Sequence, residues 1–297
     1  VIIIDNLDNS YISNKPKKSI FYKSDFSNKK ILKKIFTKYS IDTVYHFAGS
    51  ISVDESCKKP KKYFNNNYLK SKVFIDFCIK NKIKYFIFSS TAAVYKNNSK
   101  KNKETSKTNP KNPYGKSKLY TEKFILQKKT KTKFCILRYF NVAGASLDLK
   151  NGQNSKKKPN HLISKIVNSI NYKKSFSIFG STYKTKDGTA IRDFIHLEDI
   201  SNIHIKILGY LKKKETANKS IFNCGYGKGF SVLDVVKCAQ KLSNFNYNFK
   251  NKRNGDLPCV IACNSKIKKI LHWRPKHNSL IKIIRSAILW EKKIKKN

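Results

Sequence analysis

Tyr85-Phe86-Ile87-Phe88-Ser89-Ser90-Thr91-Ala92-Ala93-Val94-Tyr95 sets the class of the fold. The apolar run shows no polar alternation, so it reads as a strand buried on both faces, as in a parallel sheet covered by helices. It ends in three hydroxyl residues. Ligands of open α/β sheets bind at the carboxyl ends of the strands, which puts Ser89, Ser90 and Thr91 on the edge where chemistry is expected. Further on, Tyr114-Gly115-Lys116-Ser117-Lys118 opens a helical pattern, and its phenol and ammonium, four residues apart, share one face. A lysine there favours the phenolate and is expected to lower the tyrosine from its ordinary value near 10 toward the range of a general base. Phe134-Cys135-Ile136-Leu137-Arg138-Tyr139-Phe140-Asn141 repeats the form of a strand ending in polar groups. The three elements converge on one edge.

Outward from this centre, strands and helices alternate through the first half, the pattern of an α/β, Rossmann-like doubly wound parallel sheet. Strands are expected at 1–5, 20–23, 43–47, 85–89 and 134–137, with helices at 29–39, 63–81 and 114–128. Residues 96–113 read as a polar loop and 148–159 as a second polar break. Beyond it, helices are expected near 162–170, 198–211, 231–242 and 279–292, mixed with short strands. The division expected is a dinucleotide-binding domain over 1–147 and a smaller mixed α/β substrate domain mainly over 148–297, some of whose segments return to the first sheet.

The chain has 297 residues, 39% of them hydrophobic, enough to bury a substantial core. Its formal charge is +46. A polyanion-binding protein would cluster its basic residues, often as arginine. Here only five of the 64 basic residues are arginine, and the lysines spread along the chain beside abundant Asn and Ile. That is compositional drift expressed on solvated surfaces; incidental, salt-sensitive adhesion to nucleic acid is expected from it, and no specific nucleic-acid partner. The seven cysteines show no metal-ligand spacing, and their odd number favours reduced thiols, so no metal is expected. No apolar run approaches the ~20 residues that span a membrane, and a cytoplasmic location is expected.

The ordered blocks Asp5-Asn6-Leu7, His46-Phe47-Ala48-Gly49, Ser89-Ser90-Thr91, Tyr114 to Lys118, Leu137 to Asn141, Asp187-Gly188-Thr189, Arg192 to His196 and Gly255-Asp256-Leu257-Pro258 resemble the extended short-chain dehydrogenase/reductases, and most closely the UDP-glucose 4-epimerases. The resemblance covers Val1 to about Trp273. Such enzymes begin with a strand, a glycine-rich turn and a helix that hold the dinucleotide pyrophosphate. Val1-Ile2-Ile3-Ile4-Asp5 looks like the family's second strand and the chain has no methionine, so the expectation is a fragment missing that first unit of about 25 to 30 residues.

The resemblance implies NAD as cofactor and a UDP-sugar as substrate. Tyr114, Lys118 and Thr91 are implied as catalytic. Cofactor contacts are implied for Asp5, Asn6, Asn9, Ser10, Asp25, Phe26, Phe47, Ala48, Gly49, Asn66, Tyr114, Lys118 and Phe140. Asp5 ends its strand where a carboxylate accepts from the adenosine ribose, favouring NAD over NADP; Asp25 and Phe26 look like the pair that meets the adenine. Thr91, Asn141, His161, Ser177, Phe179, Arg192, Arg253, Asp256 and Val260 are implied to hold the UDP-sugar, with the two arginines as planar clamps for a diphosphate. A homodimer is implied, through the helices at 63–81 and 114–128.

Two positions depart from the family. Ile51 stands where many members have a lysine, and Val260 stands where glucose- and galactose-restricted members have a tyrosine. Smaller residues there can admit N-acetylated sugars. The reaction implied interconverts UDP-galactose and UDP-glucose through a 4-keto sugar. Alternatives are an epimerase of UDP-N-acetylglucosamine, UDP-glucuronate or UDP-arabinose, or a truncated, inactive polyanion-binding domain. Ala92 and Ala93 replace the acidic residues of 4,6-dehydratases, and Asp5 would repel the 2′-phosphate that a reductase using NADPH must bind.

Overall fold

A computed structural model describes residues 1–96, 101–154, 156, 161–253 and 255–296. In chain order the elements are β1 (Ile2–Asp5), β2 (Ile20–Lys23), α1 (Lys29–Lys38), β3 (Thr43–His46), α2 (Val53–Lys58), α3 (Pro60–Phe64), α4 (Lys70–Lys80), β4 (Tyr85–Thr91), α5 (Pro113–Gln127), β5 (Lys133–Tyr139) and β6 (Asn141–Ala143). There follow α6 (Leu162–Asn171), β7 (Phe176–Phe179), β8 (Ile191–His196), α7 (Leu197–Lys212), β9 (Lys219–Cys224), β10 (Gly229–Ser231), α8 (Val232–Gln240), β11 (Tyr247–Lys250), β12 (Cys259–Val260), α9 (Ser265–Leu271) and α10 (Leu280–Lys296). The expected polar loops fall in part, at 97–100, 155 and 157–159, outside the described residues.

Two compact units divide the chain: Val1–Val94 with Thr108–Arg138 and Ile207–Phe222, and Tyr95–Lys107 with Tyr139–Lys206 and Asn223–Asn297. In the first, β1 and β2 pair in parallel from Ile2↔Ile20 to Asp5↔Lys23, and a four-stranded sheet runs β3-β4-β5-β9. The single continuous sheet expected from the alternation is therefore two ladders among the described residues. Among the described residues β1 and β3 do not pair. Leu32 of α1, Phe74, Ile75 and Cys78 of α4, Phe86 and Phe88 of β4, Ile125 of α5 and Phe134 and Ile136 of β5 form the core of this unit. Burial of each large side chain contributes about 1.5–3 kcal/mol.

Helix 63–81 is not continuous. A π-helical turn over Asn65–Leu69 separates α3 from α4, and it carries Asn67, whose buried amide grips Ser50 from both sides (Ser50 N to Oδ1 2.7 Å; Nδ2 to Ser50 O 2.9 Å). π-Turns of this kind re-aim a side chain, often at functional sites.

In the second unit β8 is central. Its first half pairs with β10 antiparallel and β12 parallel, and Phe194 to His196 pair with β6. β7 and β11 form a separate parallel pair. Helices α6, α8 and α10 supply Ile163, Ile166, Val167, Val235, Val236, Ile283, Ile284 and Ile288 to its core.

Candidate active site

Helix α5 starts where its sequence dictates. Asn112 caps it by accepting from Gly115 N at 2.8 Å, and Pro113 occupies the first turn. A Cβ on Gly115 would lie 2.4 Å from Ala93 O. Only glycine lets α5 approach the short 3-10 turn Ala92–Val94 that follows β4 so closely. This approach sets the phenol of Tyr114 beside the Thr91 side chain, near enough to bear on its ionisation. Thr91 Oγ1 is itself fixed by accepting from Ala93 N at 3.1 Å, and the Tyr63 ring meets that of Tyr114 edge-on at 6.4 Å.

One turn along α5, buried Lys118 donates to Ser89 O at 2.9 Å and lies 5.0 Å above the Phe88 ring. Removal from water pulls this ammonium down to about 8, against the opposing charge of Glu122. The expected lowering of Tyr114 by Lys118 is not found. Burial raises the phenol above its ordinary value, and the opposing influence is the Thr91 side chain; Lys118 is turned instead toward the strand carbonyl.

Sequence reading missed the charge network beneath. Glu122, one further turn along the same face, receives Arg138 Nη2 at 2.6 Å and Nε at 3.0 Å, and accepts a short hydrogen bond from Ser90 Oγ. Both charged side chains are almost wholly buried. Thus Lys118 and Glu122 hold consecutive residues of β4, Ser89 and Ser90, and Arg138 ties both to β5. The signal was the i, i+4, i+8 series Tyr114, Lys118, Glu122. His46, also buried, is hydrogen-bonded to Ser71 Oγ at 2.9 Å and packed among Phe26, Phe74, Phe86 and Phe88. Burial first, and the charge of Lys118 second, hold it neutral down to about 3.

Of the residues implied for NAD, Asp5 and Asn6, Asp25 and Phe26, and Phe47 to Gly49 lie at or just past the carboxyl ends of β1, β2 and β3. Asp5 Oδ1 accepts from Leu7 N (2.6 Å) and Ser10 Oγ (3.0 Å), shaping the turn after β1, where Asn6 accepts from Asp8 N and Asn9 is exposed. Asp25 binds Lys70 at 2.5 Å and Ser27; burial raises its carboxyl, but these bonds outweigh it and hold it low. Phe26 turns its ring into the core. Phe47 is exposed and stacks on Tyr45, with Ala48 against the core. Gly49 follows at φ 155°, and a Cβ on it would lie 3.1 Å from both Asn67 Oδ1 and Lys118 Nζ. This bare backbone beside a buried ammonium is the cradle a dinucleotide needs, and the residues present fit the group. Asn66, the member of the Asn triplet picked from sequence, donates to Ser50 Oγ at 3.1 Å. Phe140, in the second unit, is buried with its N–H on Cys224 O.

The second unit gathers a different set. Arg192 on β8 lies beside Val260 of β12 in register, donates to Ile191 O at 2.9 Å and lies 3.6 Å from Asp256. Arg253 stacks its guanidinium 3.8 Å above the Phe179 ring. Two cations, one carboxylate and an aromatic face are groups that could hold a planar base and phosphates. Asn141 opens β6 opposite Phe194. Ser177 precedes Phe179 on the same face of β7. His161 stands exposed at the N-terminus of α6 without a capping bond from its side chain.

Among the described residues, no group of three or more His, Cys, Asp or Glu could hold a metal ion, and no helix is long and apolar enough to cross a membrane. The described cysteines are free thiols.

The chain is similar to known proteins over most of its length. A curated UDP-glucose 4-epimerase of Azospirillum brasilense is 37% identical over 279 residues, covering 92% of this chain and 79% of that protein. The solved UDP-glucose 4-epimerase of Bifidobacterium longum, in complex with NAD+ and UDP, superposes with a TM-score of 0.89 at 31% identity, over 98% of this chain and 90% of that one. The UDP-Glc/GlcNAc 4-epimerase of Campylobacter jejuni gives 0.80 at 39% identity, over 98% and 91%. The model of the NAD dependent epimerase/dehydratase family matches residues 1–225, and the chain belongs to that family.

Proposed function

We propose that this protein is an NAD-dependent UDP-glucose 4-epimerase that interconverts UDP-galactose and UDP-glucose. The observation that carries this reading is the Tyr114 phenol set beside the Thr91 side chain, on the helix face that also presents buried Lys118. The first unit holds NAD, through Asp5, Asp25, Gly49 and Lys118. The second holds the UDP-sugar, through Arg192, Arg253, Asp256 and Phe179, with Asn141, His161, Ser177 and Val260 around them.

NAD, when bound, supplies a reversible two-electron acceptor and a cationic ring. Burial raises the Tyr114 phenol, so the base is its phenolate, formed by loss of the phenol proton to solvent when a cationic ring lies alongside; the phenolate then takes the proton of the sugar 4-hydroxyl as that carbon is oxidised. Thr91 orients the phenol and the sugar oxygen. The arginine pair keeps hold of the diphosphate while the 4-keto sugar turns, because an intermediate that left would be lost. Tyr114 then returns its proton to the opposite configuration.

Val260 favours a second reading of substrate range. A valine beside Arg192 leaves room that a tyrosine would fill, so UDP-N-acetylglucosamine is a further substrate. Turnover of UDP-galactose but not of UDP-N-acetylglucosamine would remove this extension.

A homodimer through α3, α4 and α5 is supported by an aromatic cluster of exposed Phe64 and Tyr120 with half-buried Tyr68, the rings 5.0 to 5.6 Å apart. A groove of about 610 Å³ lies between α3, the π turn that follows it, and the start of α5. Sedimentation of the wild type as a monomer would overturn it. The seven cysteines, free wherever described, support a reducing, cytoplasmic setting. Conversion of UDP-galactose to UDP-glucose in the presence of NAD tests the reading as a whole.

A further inference from the structure

Residues Gly180 to Gly188 are folded around one side chain. Both glycines take left-handed conformations, φ 87° and 74°; a Cβ on Gly180 would lie 2.4 Å from Tyr183 Cε2, and one on Gly188 2.1 Å from Ser181 O. Tyr183 N donates to Gly188 O at 2.9 Å, and Thr185 N donates to Tyr183 O at 2.8 Å. Lys252 sets its ammonium 4.9 Å from the centre of the Tyr183 ring while donating to Thr182 O at 2.8 Å. The ring is therefore held by packing and by backbone bonds, with its freedom already spent before any ligand arrives.

What this scaffold holds in place is a hydroxyl without a partner. Tyr183 Oη is buried and has no hydrogen-bond partner among the described residues. Buried hydroxyls are normally satisfied, and one left over calls for an explanation. The charges that bear on it are those of Asp256, Arg192 and Arg253. Arg253 stacks on Phe179, and Arg192 donates to Ile191 O.

We propose that Tyr183 is a further substrate-binding residue, its O–H donating to a phosphate oxygen of the diphosphate gripped by Arg192 and Arg253. This rests on the UDP-sugar reading above. Burial first, and Asp256 second, raise the phenol, and so keep it a donor throughout the neutral range. A donor that must bond an acceptor, fixed in advance beside two cations, selects an oxyanion. Sequence alone did not single out Tyr183, one of 16 tyrosines.

The test is calorimetric titration of UDP, and separately of uridine, into NAD-supplemented full-length wild type and Tyr183→Phe. The expected result is UDP binding weakened about tenfold in the variant, the loss of one charge-assisted hydrogen bond, with uridine binding unchanged and the ligand-free melting temperature kept or raised. Equal UDP affinity in the two proteins overturns the assignment of Tyr183 and leaves the UDP-sugar reading intact. Equal weakening of UDP and uridine, or a fall in the ligand-free melting temperature, also overturns it, since the phenol would then serve the nucleoside or the fold. Failure of the wild type to bind UDP overturns the UDP-sugar reading, and this assignment with it.

Discussion

Glu122 and Arg138, 16 residues apart in sequence, meet in the interior with Nη2 and Oε2 separated by 2.6 Å. The pair lies one helical turn beyond Lys118, and Glu122 is the opposing influence that keeps the Lys118 ammonium from falling further. A buried pair broken from one side leaves an uncompensated charge.

Glu122→Gln is therefore expected to cost about 3–5 kcal/mol of stability and to alter catalysis in a particular direction. Losing the carboxylate lets the Lys118 pKa drop below about 8, so the alkaline limb of kcat/KM moves to lower pH. Thermal melts and a pH–rate profile check both; an unshifted alkaline limb would make Glu122 a purely structural residue.

His46 governs acid stability in the first unit. Its folded pKa, about 3, lies below the ordinary 6.5. Between these values the unfolded chain binds a proton that the folded chain refuses, so stability falls as pH falls through that window, by on the order of 4 kcal/mol at its lower end. In His46→Phe this loss is expected to vanish, at a cost of about 1 kcal/mol at neutral pH for the abandoned Ser71 hydroxyl. Urea unfolding at pH 7 and pH 4.5 measures the difference, and an unchanged pH dependence would assign the acid sensitivity elsewhere.

Gly49→Ala adds a methyl 3.1 Å from Lys118 Nζ and from Asn67 Oδ1, at a backbone conformation side chains avoid. One of these partners must move. The expected outcome is about 1–3 kcal/mol of lost stability and NAD binding at least roughly tenfold weaker, read by titration of NAD into the purified variant. Unaltered NAD affinity would mean that the cofactor does not approach this backbone.

Much of this was legible in the sequence, because buried strands and capped helices announce themselves. Strand β2 falls on its expected residues, and α1 and α5 end within a residue of theirs. The break at Asn65–Leu69 was hidden, since it depends on Asn67 reaching Ser50, a contact across 17 residues that periodicity does not carry. Helix α2 was missed although Ser52 caps it by accepting from Glu55 N: six mostly polar residues give no apolar stripe. Tyr114, Lys118 and Thr91 were singled out through family blocks, while Glu122, Arg138 and Tyr183 needed coordinates, because a buried ion pair and an orphan hydroxyl are properties of packing. The electrostatics of Tyr114 were misread for the same reason. Sequence spacing shows a lysine nearby but not that its ammonium faces Ser89 O.

The central claim is that Tyr114 moves the proton of a sugar hydroxyl. Its most direct test is conversion of UDP-galactose to UDP-glucose with added NAD, by the wild type and by Tyr114→Phe. Turnover by the wild type is expected, with a loss of about 10²- to 10⁴-fold in kcat in the variant and UDP affinity and melting temperature nearly unchanged. Turnover by Tyr114→Phe at the wild-type rate, or none by the wild type with any UDP-sugar, would contradict it.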